Sequence, residues 1–118
     1  MILVDTSVWN DHLRRGNERL KTLLEDEQVL SHPFICGELA CGNLKDRQEI
    51  LSLLTSLPAA LVAEQEEVLH LLDSRRLYGQ GLGWIDAHLL ASALLSDCGV
   101  WTLDSPLRRA ARKLGIDQ

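Results

Sequence analysis

Apolar residues along the chain follow two rhythms: short unbroken runs, and longer stretches spaced by three or four. Ile2, Leu3 and Val4 form an unbroken run, the pattern of a strand covered on both faces in a parallel sheet flanked by helices. Helical spacing follows from Val8 to Arg15 and again from Glu18 to Glu27, where Leu20, Leu23 and Leu24 share a face. Val29 and Leu30 read as a second strand, and Pro33 suits the first position of a helix carrying Glu38, because its missing N–H costs nothing there. Arg47 to Leu57 sets Ile50, Leu51, Leu53, Leu54 and Leu57 on a broad apolar face and stops at Pro58. Ala60 to Ala63 predicts a third strand and Glu64 to Leu77 a helix, with His70 packed among Leu69, Leu71 and Leu72; Gly79, Gly81 and Gly83 then mark a loop. Ile85 to Leu95 is apolar nearly all round and predicts a central buried helix, although its first turn holds Asp86 and His88. Val100, Trp101 and Leu103 predict a fourth strand ending at Asp104, Leu107 to Leu114 a basic last helix, and Ile116 a short edge strand. Strands alternating with helices, unbroken by repeat or linker, specify one α/β domain with a parallel sheet over residues 1–118.

Composition narrows the functional classes. The balance of 12 Lys+Arg against 17 Asp+Glu, a net charge of -5, argues against a constitutively basic nucleic-acid coat, though not against an acidic site acting on nucleic acid. The longest uncharged run, Ile50 to Ala63, contains Pro58 and falls short of the roughly 18 apolar residues expected of a membrane span. The start, Met1 to Ser7, has no basic segment and brings a carboxylate at Asp5, so it reads as a first strand rather than a secretory signal, and a cytoplasmic protein is expected. Cys36, Cys41 and Cys98 form no CxxC pair and suit reduced, mostly buried thiols.

Chemistry concentrates in four carboxylates. In an open parallel sheet the carboxyl ends of the strands share one edge, and ligands bind there. Asp5 and Asp104 occupy that position; Asp86 at a helix start and Glu38 early in its helix reach towards the same edge. Converging carboxylates repel one another, a cost relieved by a divalent cation between them, and an all-oxygen donor set points to Mg²⁺ and phosphoryl chemistry. Each acid also has a plain structural reading. Asp5, Asp86 and Asp104 are residues that cap or favour helix N-termini. Glu38 resists that reading, since it lies among Phe34, Ile35, Leu39 and Ala40.

Four segments in order, VDTSVW, HPFICGELACGNL, GLGWIDAHLLASALL and VWTLDSPLRRAA, together resemble the PIN-domain family, most closely its VapC-type toxins. The resemblance implies a PIN-like α/β/α sandwich on a parallel sheet of about five strands in the order 3-2-1-4-5. It matches the family's four acids to Asp5, Glu38, Asp86 and Asp104, and implies a Mg²⁺- or Mn²⁺-dependent endoribonuclease. On this reading Asp5 and Asp104 contact the metal, Glu38 and Asp86 hold or deprotonate water, and Thr6, Ser7 and Thr102 orient the carboxylates. It further implies a tRNA or rRNA loop as substrate, a cognate VapB-type antitoxin as inhibitor and a toxin homodimer. Many relatives carry another acidic or Asn residue just after the fourth aspartate; here Ser105 and Pro106 stand there, which puts a second metal site in doubt.

RNA must also be held. Arg108 and Arg109 are the preferred phosphate contacts because they follow Asp104 closely, with Arg14, Arg15, Lys45, Arg47, Arg112 and Lys113 as further cations and Trp9, Trp84 or Trp101 as stacking surfaces. For most of these, solvated surface or core filling is the plainer account. Two other functions compete: a non-catalytic PIN-fold interaction module whose acids only cap helices, and a metal-independent ribonuclease using His12, His32, His70 or His88. An aspartate-nucleophile phosphatase would want a second Asp where Ser7 stands.

Overall fold

The computed structural model describes residues 1–118. Its elements run β1 (Ile2–Val4), α1 (Thr6–Arg15), α2 (Glu18–Glu25), β2 (Val29–Leu30), α3 (Pro33–Ala40), α4 (Arg47–Ser56), α5 (Gln65–Ser74), α6 (Trp84–Leu95), β3 (Gly99–Trp101) and α7 (Ser105–Lys113). The strands form a parallel sheet in the order β2-β1-β3, in register Leu3 to Leu30 and Leu3 to Val100. No helix is long and apolar enough to cross a membrane.

The two outer strands expected at Ala60–Ala63 and Ile116 shrink to single parallel bridges, Ser31 to Ala59 and Val100 to Asp117. They nonetheless lie at the two edges where the order 3-2-1-4-5 puts them. The physical reason is competition for backbone donors. Leu61 N–H turns to Ser96 Oγ at 2.8 Å and Ala63 N–H to Ser92 Oγ at 3.3 Å, so the segment hydrogen-bonds to α6 instead of extending a ladder. At the other edge Ile116 N–H returns to Ala111 O at 2.9 Å, finishing α7. Leu103, expected in the fourth strand, is exposed: β3 ends at Trp101, and Leu103 N–H donates to Ser7 Oγ.

The core is continuous between the sheet and its helices, with Leu3, Val4, Trp9, Ile35, Leu89, Leu90, Val100 and Leu107 almost fully buried. Four expectations about packing need correction. The end of α6 is not buried, since Leu94 and Leu95 are 39% and 44% exposed. On α4 Leu54 is buried and Ile50 and Leu51, with Leu57 just beyond the helix, pack half-buried against the core as the apolar face predicts, but Leu53 is exposed. His70 and Leu69 point outward, and Cys41 is exposed while Cys98 is buried.

Candidate active site

The site begins with β1. Asp5 N–H donates to Trp101 O at 2.9 Å, so the ladder between β1 and β3 runs up to the aspartate and fixes it at the carboxyl edge. Asp5 is buried, and its Oδ2 accepts from Ser7 Oγ and Thr102 Oγ1, both at 2.7 Å, and from Ser7 N–H at 3.3 Å. Ser7 Oγ and Thr102 Oγ1 lie 3.2 Å apart, and Thr102 Oγ1 also accepts from Asp104 N–H at 3.0 Å. One hydroxyl pair thus ties the end of β1 to the turn after β3. All these bonds to Asp5 end on Oδ2; Oδ1 takes none of them.

Asp86 and Asp104 are likewise half engaged. Asp104 caps α7, its Oδ2 accepting from Leu107 N–H at 3.1 Å, and Asp86 Oδ2 accepts from Gly83 N–H at 3.1 Å at the start of α6. Helix starts expose unpaired N–H groups and a partial positive charge, so carboxylates there are stabilised by about 0.3–1 kcal/mol. The capping roles readable in the sequence are therefore real, and each leaves a second oxygen for other work.

Glu38 arrives differently. It lies on the exposed side of α3, so the argument that it stands among core residues is overturned: Ile35 and Leu39 face inward, and Glu38 projects from the opposite flank. Thr6 holds it, Oγ1 donating to Glu38 Oε1 at 2.8 Å.

The four acids share one field. Burial pushes the Asp86 carboxyl above its ordinary range; the Gly83 N–H opposes that, and the charges of Asp5, Asp104 and Glu38 push it further. None of the four has a cationic partner, since the chain's ion pairs join Arg15 to Asp11 and Arg108 and Arg112 to Asp117. Nor do three of these side chains converge closely enough to chelate one ion directly. An unneutralised, all-oxygen and widely set group of carboxylates fits Mg²⁺ or Mn²⁺, which keep several waters and take one or two direct carboxylates.

The predicted cations divide. Arg47 lies far from any phosphate role: its guanidinium donates to Ala40 O at 2.7 Å and Gly42 O at 3.3 Å, closing the C-terminus of α3. Arg108 leans towards Asp117, 4.0 Å away, whereas Arg109 is exposed and forms no ion pair. Among the tryptophans, Trp9 is core, Trp101 is buried under the Arg19 guanidinium at 4.2 Å, and only Trp84 is exposed.

His32, named in the sequence only as a candidate acid or base, has a structural role that the sequence reading did not give it. Fully buried, it caps α3, Nδ1 accepting from Phe34 N–H at 3.0 Å, while Nε2 meets Ser92 Oγ at 3.0 Å. Burial, helped by the nearby His88, lowers its pKa to about 4. Its signal was its place directly before Pro33, the cap position of a helix with proline at its first residue. His12 accepts from Asn17 N–H at the end of α1 and His70 sits out on α5; His32 and His88 lie near each other, but both are buried and both ring nitrogens of His32 are engaged, so that pair is not open to substrate.

The chain is similar to known proteins in sequence and in fold. The sequence profile of the PIN domain matches residues 2–113. Ribonuclease VapC32 of Mycobacterium tuberculosis, in strains CDC 1551 / Oshkosh and ATCC 25618 / H37Rv, is 46% identical over 117 residues, covering 98% of this chain and 94% of the relative. The crystal structure of FitAcB from Neisseria gonorrhoeae superposes with a TM-score of 0.66 at 26% identity, over 95% of this chain and 94% of that one. With its four acids gathered at the carboxyl edge of a parallel sheet, the chain belongs to the PIN-domain family, and within it to the VapC type.

Proposed function

We propose that this PIN domain is a divalent-metal-dependent endoribonuclease that hydrolyses RNA phosphodiester bonds as the toxin of a toxin–antitoxin pair in the cytoplasm. The observation that carries this reading is the group of four carboxylates, Asp5, Glu38, Asp86 and Asp104, with no cation paired to any of them. Structural carboxylates at helix starts need no such company.

Asp5 and Asp104 would hold Mg²⁺ or Mn²⁺ through the oxygens their caps leave free. When bound, the ion supplies charge neutralisation and a more acidic water for attack on phosphorus. Ser7 and Thr102 orient Asp5 by fixing Oδ2. Thr6 orients Glu38. Asp86, its proton affinity raised by burial and by its neighbours, is suited to accept a proton from water at Oδ1. Products would carry a 5′-phosphate and a 3′-hydroxyl. Arg109 is the better placed of the two preferred arginines for a phosphate, because Arg108 leans to Asp117.

The partner expectations have surfaces that support them. A groove between α1 and the loop after α3, lined by Arg14 and Lys45, suits acidic groups of a VapB-type antitoxin. Exposed Leu94 and Leu95, with Leu61 and Val62 before α5, suit the face a second copy of the chain would cover.

The test is to incubate the purified chain, freed of co-purifying protein, with a tRNA and rRNA pool in Mg²⁺, Mn²⁺ or EDTA, and to map product ends. Metal-dependent cuts with 5′-phosphates, lost in Asp5→Asn, Glu38→Gln and Asp104→Asn variants that fold normally, are expected. Undiminished cleavage in EDTA would overturn the metal reading, and RNA left intact in every metal would favour the interaction module.

A further inference from the structure

Beside Glu38 lies a pocket of about 350 Å³ whose lining includes Phe34, Gly37, Glu38, Cys41, Trp84 and Ile85. We propose that this pocket is a nucleobase subsite, holding the base of a nucleotide adjacent to the scissile phosphate by stacking against Trp84 and Phe34; this rests on the ribonuclease reading above.

Three independent observations meet there. The first is position. Glu38 lines the pocket and belongs to the acidic group, so a ligand in the pocket lies against one of the four acids, and Trp84 in its wall opens the helix that carries Asp86. The second is the state of the aromatic rings. Trp84 is 43% exposed, while its ring is braced edge-on by His88 at 4.8 Å, and His88 packs edge-on to Phe34 at the same distance. Rings held in place yet left open to solvent are the platforms on which unpaired bases stack.

The third is Gly37. It sits inside α3 with helical backbone, where glycine destabilises a helix relative to alanine. A Cβ built on it meets no atom of the protein within 4 Å, so nothing in the chain itself calls for the missing side chain. What the absence provides is an open floor to the pocket. A space kept clear against helix propensity is a space for something outside the chain.

The lining selects the class of that occupant. It is apolar and aromatic with one carboxylate at its rim, so it repels a phosphate and accepts a flat heterocycle. The volume is at the lower end of the range of about 300–1,000 Å³ typical of small-ligand pockets. An aromatic side chain from an antitoxin is the rival occupant. The base is favoured because the pocket opens beside Glu38 of the acidic group, where substrate must lie, whereas the basic groove lined by Arg14 and Lys45 is a separate pocket.

Cys41 gives a direct readout without turnover. It is exposed in the pocket wall, while burial raises the pKa of both Cys36 and Cys98 and slows their alkylation. Alkylation of Cys41 by iodoacetamide is followed by mass spectrometry in Ca²⁺, with short oligo-A, -C, -G or -U RNAs, with an abasic oligomer of equal length, or with an amphipathic antitoxin-like peptide. At least one base-bearing RNA is expected to slow alkylation several-fold, and the abasic oligomer to leave it unchanged. Trp84→Ala and Gly37→Leu should abolish protection and raise KM about tenfold with little change in kcat, while the rise in melting temperature on adding Mg²⁺ persists. Gly37→Ala, a smaller change that favours the helix, should show a weaker form of the same defect. Protection by the peptide alone, equal protection by the abasic oligomer, or no protection by any RNA that the wild type cleaves would overturn the subsite and leave the nuclease standing. Protection by RNA that no metal allows the chain to cut would retain the subsite and overturn the nuclease.

Discussion

Thr6 Oγ1 donates to Glu38 Oε1 at 2.8 Å, joining the first residue of α1 to the second half of α3, later in the helix than the sequence reading put Glu38, across 32 positions of sequence. It is the hydrogen bond that holds Glu38 towards the end of β1. A partly exposed bond of this kind contributes about 0.5–1.5 kcal/mol, so Thr6→Val is expected to lower kcat by up to about tenfold with a small change in stability. Thr6→Ser should restore the rate, because it returns the hydroxyl. Steady-state cleavage by the three proteins is the measurement; a Thr6→Val variant as active as wild type would remove the threonine from the site.

Thr102 and Ser7 do comparable work for a buried group. Thr102→Val keeps the shape of the side chain but removes one of the two hydroxyl donors to Asp5 Oδ2 and the acceptor for Asp104 N–H. Leaving buried polar atoms short of partners costs about 1–3 kcal/mol, and urea denaturation should show a loss in that range. The double variant with Ser7→Ala should lose less than the sum of the singles, since the two hydroxyls lie 3.2 Å apart and share Asp5.

Asp86 is expected to oppose stability at neutral pH. Its folded pKa is raised above the ordinary value of 3.8, first by burial and then by the other acids. The unfolded chain therefore releases this proton first, and stability falls as pH rises from 3.8 to the folded pKa. Asp86→Asn removes that penalty while an amide oxygen can still accept from Gly83 N–H. The variant should melt higher than wild type at pH 7, with the gap closing below pH 3.8, where Asp86 is protonated in both states. Mg²⁺ should raise the wild-type melting temperature, by binding the folded state alone, more than that of the variant.

His32 acts with the opposite sign. Its pKa falls from 6.5 to about 4 on folding, so stability is fully present above 6.5 and is lost as pH drops towards 4. The shift corresponds to a loss on the order of 3 kcal/mol, and His88, whose pKa burial also lowers, adds to the same trend. His32→Asn keeps a capping oxygen and should flatten the pH dependence between these limits. Chemical denaturation at pH 7, 5.5 and 4.5 would show it, and equal slopes in the two proteins would refute this account.

Much of this protein is legible from residue order because its information is local. The run Ile2–Val4, the spacing of Leu20 and Leu24, the Pro33 helix start and the apolar band of α6 each report a period or a cap that a short window contains, and the elements stand where those signals put them. The capping positions of Asp5, Asp86 and Asp104 were equally readable, because strand ends and helix starts are named by their neighbours in sequence. Sequence order alone left unsettled which donors a group would find. Leu61 and Ala63 belong to a strand by composition, yet their N–H groups go to Ser96, which caps the end of α6, and to Ser92 within it. Glu38 looks buried among apolar neighbours and is instead turned outward and held by Thr6; Arg47 looks free and closes α3. Periodicity specifies which face of an element is apolar, but hydrogen-bond partners and the charges that share a cleft are set by residues tens of positions apart, and only the folded arrangement brings them within reach.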